Sequence, residues 1–331
     1  MDVREIDGAD PVLARRFWEI GRDAEAAYRV HDFYVPWATA QISLRQVRPG
    51  FDRVLIAAFD GEDMVGTGSV GMPLLDNTHL AFMDVYVDPA HRRRGIGRAL
   101  VSAAEQIARD HGRRVLMGEA YGLPGRKGFG QVFGEALGFK VALEDGMKVV
   151  DLFATEPRWD GLEAEIAGRS EGYTPLDWHD AVPEELVEGL CRLNEAFNEE
   201  ATSGDLELEA EVWDADRVRK REAENLATGR HEVSTASLAQ DGTMVGLTEV
   251  IVNENSPNRG WQSGTLVLPE HRGRALGVLM KVANHRRVRA LYPECRLLIT
   301  GNAGVNVSMN AVNDKLGYEL VETCVEMVKD L

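Results

Sequence analysis

Hydrophobic and polar positions alternate along this chain in two series of elements that follow the same order. Pro11 to Ala27 has the three-to-four-residue apolar spacing of a helix. Phe51 to Phe59 is an apolar strand pattern, Asp60-Gly61 marks a turn, and Met64 to Gly71 reads as the returning strand of a hairpin. Leu80 to Val87 is a further strand, Pro89 to Arg94 a basic loop, and Ile96 to Asp110 an amphipathic helix stopped by Gly112. Val115 to Ala120 is a strand. A Gly-rich stretch, a short helix ending at Leu137-Gly138-Phe139 and a strand through Val149 to Phe153 complete the series. In the second series, Pro183 to Glu200 and Trp213 to Thr228 predict helices. His231 to Ala239 and Met244 to Val252 predict a hairpin about Asp241-Gly242, and Gly264 to Leu268 another strand. Leu276 to Leu291 is a helix, Arg296 to Thr300 a strand, Asn306 to Lys315 a helix and Glu319 to Val328 a last strand.

The two series share residues as well as order. Met64-Val65-Gly66 returns as Met244-Val245-Gly246, Pro89 and His91-Arg92 as Pro269 and His271-Arg272, and Gly97 as Gly277, each pair 180 residues apart. Leu137-Gly138-Phe139 returns as Leu316-Gly317-Tyr318 at 179. A repeat of this length is a domain rather than a solenoid unit. The sequence therefore predicts two tandem α+β domains, 1–155 and 175–331. Each has a mixed twisted sheet with helices on both faces, and the polar segment 156–174 links them.

A chain of 331 residues suits two ordinary domains, each large enough for its own core. The net charge of −17 repels phosphate backbones and anionic membranes, so nucleic acid and membrane partners are not expected. An acidic surface attracts cationic amines, although solubility alone accounts for it. No apolar run reaches the length of a membrane span. Cys191, Cys295 and Cys324 are widely spaced, which fits small buried hydrophobes in a reducing cytoplasm better than a disulfide frame or a zinc site. No bound metal is expected.

The chemistry concentrates at Arg92-Arg93-Arg94-Gly95-Ile96-Gly97-Arg98-Ala99, between a strand and a helix. Glycines let backbone N–H groups approach an anion, the helix start adds its dipole, and the arginines add charge. Together they suit a pyrophosphate; a solvated basic helix start is the competing reading. A dinucleotide fingerprint fits worse, because Leu100 occupies its third glycine position, and no Gly-Lys-Ser/Thr follows to make a P-loop.

Val85-Tyr86-Val87-Asp88-Pro89-x-His91-Arg92-x-x-Gly95-x-Gly97 resembles motif A of the GNAT N-acetyltransferases, and Leu-Gly-Phe/Tyr after a short helix resembles their motif B, once in each half. The chain resembles tandem members of that superfamily, the mycothiol synthase-like and actinobacterial acetyltransferases. The resemblance implies an acetyl-CoA-dependent N-acetyltransferase. It implies that Val85 and Val87 on the strand, and the loop from Arg92 to Ala99, bind the cofactor. In the second half it implies the same of Val267, Arg272, Gly273, Arg274, Ala275, Leu276, Gly277 and the motif B residue Asn306. The copies depart from the pattern in complementary ways. Positions of the first motif B fall on Gly128, Gln131, Phe133 and Gly134, without the tyrosine that often protonates the leaving thiolate. The second keeps Asn306, has Asn313 for the tyrosine, and has Ala275 where the first has Gly95, a methyl that would crowd phosphate or shift the loop.

Acetyl transfer needs a base, because an ammonium is not a nucleophile. Glu249 stands alone in an apolar strand, with Asp84 and Glu119 as counterparts in the first half. Thr248-Glu249, Gln262-x-x-Thr265 and Thr300-x-Asn302-x-x-x-Asn306 resemble the second half of the actinobacterial tandem proteins, and Thr202-Ser203-Gly204-Asp205-Leu206 resembles their acceptor-side loop, with a plain connector the competing reading. Gln262, Thr265 and Asn302 are thus candidate substrate contacts, with the solvent face of a strand the competing place for Glu249. Phe129 and Phe133 read as core residues of the short helix or as an edge of the cofactor site. Trp159, Trp178 and Trp213 read as packing residues. The expected acceptor is a small-molecule amine: an amino sugar, an amino acid derivative or a specialised metabolite. A non-catalytic acyl-CoA-binding protein and an acetyltransferase of protein amines remain open. The oligomeric state stays open too. A tandem chain is able to satisfy internally what a single domain satisfies by dimerising, so a monomer is compatible.

Overall fold

The structure, a computed structural model, describes residues 1–48, 50–200, 204, 206 and 208–331, without the side chains of Asn198 and Glu199. Most of the expected loop Thr202-Ser203-Gly204-Asp205-Leu206 lies outside the described residues. The first series of elements is β1 (Asp2–Glu5), α1 (Pro11–Ala26), α2 (Trp37–Ser43), β2 (Phe51–Asp60), β3 (Asp63–Pro73), β4 (Leu80–Val87), α3 (Ile96–Asp110), β5 (Val115–Gly122), α4 (Phe129–Ala136) and β6 (Lys140–Asp151). The second is α5 (Leu152–Thr155), α6 (Trp159–Ile166), β7 (Thr174–His179), α7 (Val187–Glu200), α8 (Ala215–Ala227), β8 (Arg230–Leu238), β9 (Met244–Asn253), β10 (Arg259–Val267), α9 (Leu276–Leu291), β11 (Leu297–Ala303), α10 (Val307–Leu316) and β12 (Glu319–Asp330).

The chain forms two compact units, and neither is one continuous stretch. The first takes Met1–Asp145, the described residues of 203–209 and Glu322–Leu331; the second takes the described residues of 146–202 and Ala210–Val321. The sheet of the first unit runs β1-β2-β3-β4-β5-β12, and that of the second β6-β11-β10-β9-β8-β7. Each series ends in a strand that completes the sheet of the other. β12 pairs antiparallel with β5 from Thr323↔Gly122 to Asp330↔Val115. Val325 and Met327 of β12 join the first core beside Leu100, Val101 and Leu116.

The expected linker 156–174 is not a linker. α6 places Trp159, Leu162 and Ile166 in the second core against Val282 and Val288 of α9. Its polar residues occupy the solvent side, which disguised the helix. The edge strands β1 and β7 and the short helix α2 escape the sequence pattern because each is brief. Asp10 caps α1, accepting from the N–H groups of Val12 (2.8 Å) and Leu13 (3.0 Å), with Pro11 at the first turn.

Faces follow from alternation. In β4, Val85 and Val87 pack with the α3 core, so Asp84 and Tyr86 point to the opposite face, where Tyr86 meets the cluster around Phe17 of α1. In β9, Val250 and Val252 face α9, whereas Leu247 packs with Leu190 of α7 and Val218 of α8. Glu249 shares the face of Leu247.

Candidate functional site

In each unit two parallel strands begin paired and then part. β4 pairs with β5 only from Leu80↔Val115 to Met83↔Gly118. Asp84–Val87 continue along β3, and Glu119–Gly122 continue along β12. β10 and β11 pair only from Arg259↔Leu297 to Trp261↔Ile299. Beyond the fork, one edge of each strand has its peptide groups free of sheet partners. Such an edge accepts an extended, amide-bearing chain as if it were a strand.

At the end of β4 the chain turns into α3 through a loop with two left-handed residues, Arg93 (φ 65°) and Gly95 (φ 84°). The second unit repeats this with Gly273 (φ 80°) and Ala275 (φ 58°). Ala275 therefore does not shift the loop. A Cβ at Gly95 would meet nothing within 4 Å, so a methyl is sterically tolerated there, at the strain of a left-handed L residue. The first-turn N–H groups of each helix lack intrahelical acceptors and face the loop.

The charges differ between the loops. Arg93, Arg94 and Arg98 are exposed and, among the described residues, have no ion pair or hydrogen-bond partner. Arg92 donates to the carbonyl of Ala24 at the end of α1 (3.2 Å). In the second loop Arg272 donates to the Val267 carbonyl (3.0 Å) and to Glu200 (2.6 Å), and the Arg274 guanidinium lies 5.6 Å from the Tyr173 ring centre. Arg169 caps the Gly273 carbonyl (2.8 Å). The first loop leaves three guanidinium groups exposed, while the second commits most of its own to the protein. Gly97 lies under Phe133, 3.1 Å from where its Cβ would be. Phe133 thus borders this loop, but α4 buries no residue and Phe129 is 87% exposed, so neither phenylalanine is a core residue as expected.

A cavity of about 210 Å³ opens on the α1 face of the first fork, lined by Trp18, Tyr34, Arg53, Ser69, Asp84 and Tyr86 among others. Asp84 lines this cavity and is exposed to solvent. Its pKa is raised by the surrounding protein's desolvation and by Glu119, against the opposing Ser69 hydroxyl (3.2 Å) and Arg53. Arg53 donates to the Ser43 carbonyl, and burial lowers its pKa. Tyr86 donates to Glu25 (2.9 Å), whose pKa burial also raises. Glu119 accepts from Tyr121 and stands directly across from Glu326. Burial, then Glu119 and Asp145, push the Glu326 carboxyl up to about 7.

The corresponding place in the second unit has inverted charge. β3 Ser69 corresponds to β9 Glu249 at the repeat spacing. Arg53, across from Gly71, corresponds to Glu232, across from Ile251. Glu232 is raised far above the carboxylate range by burial and by Glu249, and Arg221 lies 3.4 Å from Glu249 and 3.6 Å from Glu232. Glu249 therefore does not join the polar set expected around it. That set divides in two. Gln262 is buried and donates to the Thr248 hydroxyl (3.1 Å) and the Glu249 carbonyl (2.7 Å), and Thr248 bonds Thr265 (2.7 Å). Asn302 instead accepts from Asn313, which accepts from Lys281 (2.7 Å). Asn306 caps α10 through the N–H of Met309 (3.1 Å), a structural duty.

Sequence reasoning missed Arg53, Ser69, Tyr34 and Tyr86 in the first unit, and Glu232, Arg221, Lys281 and His285 in the second. Lys281 and His285 carried a signal: both fall on the apolar stripe of α9, four residues apart.

Residues 17–120 match the acetyltransferase (GNAT) family. No curated protein sequence matches the chain at significant similarity. Among solved structures, the tandem GNAT protein from the clavulanic acid biosynthesis pathway is 26% identical, with a TM-score of 0.83, covering 99% of this chain and 98% of that one. A GCN5-related N-acetyltransferase from Sphaerobacter thermophilus shares the fold at 16% identity and a TM-score of 0.66, over 99% and 95%. A GCN5-related glucosamine N-acetyltransferase region of a fungal multi-domain GH3 beta-N-acetylglucosaminidase does so at 12% identity and a TM-score of 0.68, over 98% of this chain and 38% of that one. The forked strands, the loops beyond them and these likenesses give residues 17–120 a GNAT acetyltransferase domain and the whole chain the fold of a tandem GNAT protein.

Proposed function

We propose that the first unit is the catalytic one and that it transfers acetyl from acetyl-CoA to a small-molecule amine. One observation carries this reading: the β4–β5 fork joins an anion loop with three uncommitted arginines to a cavity at Asp84. The residues present fit acetyl-CoA. The loop amides with Arg93, Arg94 and Arg98 suit its pyrophosphate, and the free edge of Asp84–Val87 suits its amide-bearing arm. When bound, acetyl-CoA supplies an activated acetyl group as a thioester, and its exchange onto an amine releases CoA as the free thiol.

Asp84 is the base of this proposal. Its raised pKa makes it a better proton acceptor near neutral pH than an ordinary aspartate. Its carboxylate and the faces of Trp18, Tyr34 and Tyr86 favour a cation entering the cavity. The volume of about 210 Å³ suits a compact acceptor. The tandem neighbour of the clavulanic acid pathway serves small-molecule biosynthesis, which supports an acceptor of that class here. Glu119 lies in a carboxylate cluster that keeps the site acidic.

The test is thiol release from acetyl-CoA with a panel of small amines and of peptides, in wild type, Asp84→Asn and Glu249→Gln. Asp84→Asn is expected to lower kcat by on the order of 10²-fold with acetyl-CoA affinity unchanged. A dead Glu249→Gln beside an active Asp84→Asn would move the chemistry to the second unit. Turnover of peptides alone would make the acceptor a protein amine. Saturable acetyl-CoA binding without turnover of any amine would make the chain an acyl-CoA-binding protein.

A further inference from the structure

The second unit holds a cluster that acetyl transfer does not use. His179 ends β7, Asp180 follows it in the left-handed conformation (φ 63°), and His231 is the second residue of β8. Asp180 is fixed on both sides: its N–H donates to the Glu232 carbonyl (2.8 Å), and its Oδ1 accepts from the Glu232 N–H (3.2 Å). Its carboxylate thereby meets both imidazoles. Nδ1 of His231 lies 3.1 Å from each carboxylate oxygen, and Nδ1 of His179 lies 3.6 Å from Oδ2. One donor atom from each of the three residues falls within 4.8 Å of the other two.

The distal nitrogens are also engaged. Nε2 of His179 bonds the Tyr292 hydroxyl (2.9 Å), and Nε2 of His231 lies 3.7 Å from the Glu254 carboxylate. The rings stack at 20°, with centres 5.6 Å apart. This is the arrangement of metal-binding histidines, whose outer nitrogens are held by oxygen partners so that the inner lone pairs converge. In the tautomer whose outer N–H groups face Tyr292 and Glu254, the two inner lone pairs and the Asp180 carboxylate converge on one point as a cation's donor set. Tetrahedral zinc with bonds of about 2.0–2.2 Å sets its ligand atoms about 3.3–3.5 Å apart. The 3.1 and 3.6 Å edges bracket that spacing.

We propose that His179, Asp180 and His231 form a site for a zinc-class divalent cation, with a water in the fourth position. Two imidazoles and one carboxylate select zinc over magnesium or calcium, which prefer all-oxygen shells. The sheet registers place the site at the start of β8 and the end of β7, with His231 level through Val252 with Gly260, on the paired side of the β10–β11 fork rather than at its open end. A cation there would clamp the edge strand β7 to β8 and take no part in chemistry.

The experiment uses the full chain after dialysis against a chelator, titrated calorimetrically with zinc chloride and followed by visible absorption with cobalt(II). One equivalent per chain at micromolar affinity is expected, with the absorption bands of a tetrahedral nitrogen–oxygen site and a rise in melting temperature that magnesium chloride does not produce. His231→Gln and Asp180→Asn should each weaken binding at least 100-fold. His179→Gln, which keeps a donor toward Tyr292, separates lost binding from lost folding when its circular dichroism is unchanged. Absence of saturable zinc binding below 0.1 mM in the wild type would overturn the proposal, as would equal binding by folded variants.

Discussion

At the scale of single residues, the two copies show what a repeat tolerates. Gly95 and Ala275 hold the same left-handed turn, and only the alanine carries strain. Ala275→Gly removes roughly 1–2 kcal/mol of that strain and returns about 0.5–1 kcal/mol of chain entropy. The second unit should gain up to about 1 kcal/mol, read as a higher urea midpoint at unchanged slope. Lys281 makes a different case. It is fully buried on α9, donates to Asn313, and burial and Lys148 bring its pKa down to about 7. In the unfolded chain it titrates near 10.4. Between those values the unfolded chain binds the extra proton, so stability rises with pH in that window and is lower below it. Relative to Lys281→Met, the wild type should gain about 1.4 kcal/mol per pH unit from pH 7 to pH 10 in urea unfolding. Parallel stability curves would show that the ammonium stays charged at neutral pH.

At the scale of elements, the proposed cofactor site joins the fork to its loop, and the loop is open to test. Gly95→Glu places a carboxylate and a strained L residue where amides and arginines gather. Acetyl-CoA binding by the first unit should fall at least 100-fold by calorimetry, with the circular dichroism spectrum unchanged. Undiminished affinity and stoichiometry would move the main site to the second loop. Much of this level was legible beforehand. Ile96–Asp110, Leu276–Leu291 and Leu80–Val87 are the helices and strand that periodicity predicts, because each buries one long face. β10 begins five residues earlier than its pattern suggests. A register irregularity between Gln262 and Thr265 breaks the alternation there. The pocket residues Arg53 and Ser69 were not legible, since a charge or hydroxyl in a strand looks the same on either face until pairing fixes the face.

At the scale of the whole molecule, the first unit depends on the last ten residues of the chain. Deleting Glu322–Leu331 removes the partner of β5 along eight residues, takes Val325 and Met327 from the core, and leaves Arg29 without Glu322 at 2.9 Å. The truncated chain should lose cooperative melting of the first unit and its acetyl-CoA binding. A fragment ending at residue 155 should be unstable for the same reason. Wild-type melting in either would contradict the strand exchange. The sequence by itself determined the duplication, the alternation of elements and the arginine- and glycine-rich loop between β4 and α3, because helix periodicity, turn chemistry and glycine placement act over a few neighbouring residues. Only the tertiary structure decided that β12 completes the first sheet, that Glu249 turns to Glu232 rather than to Gln262, and that His179, Asp180 and His231 converge. Strand alternation states that a residue has two faces. Which partner pairs with the strand, and so which side chains share a face, is set by contacts between residues far apart in the chain.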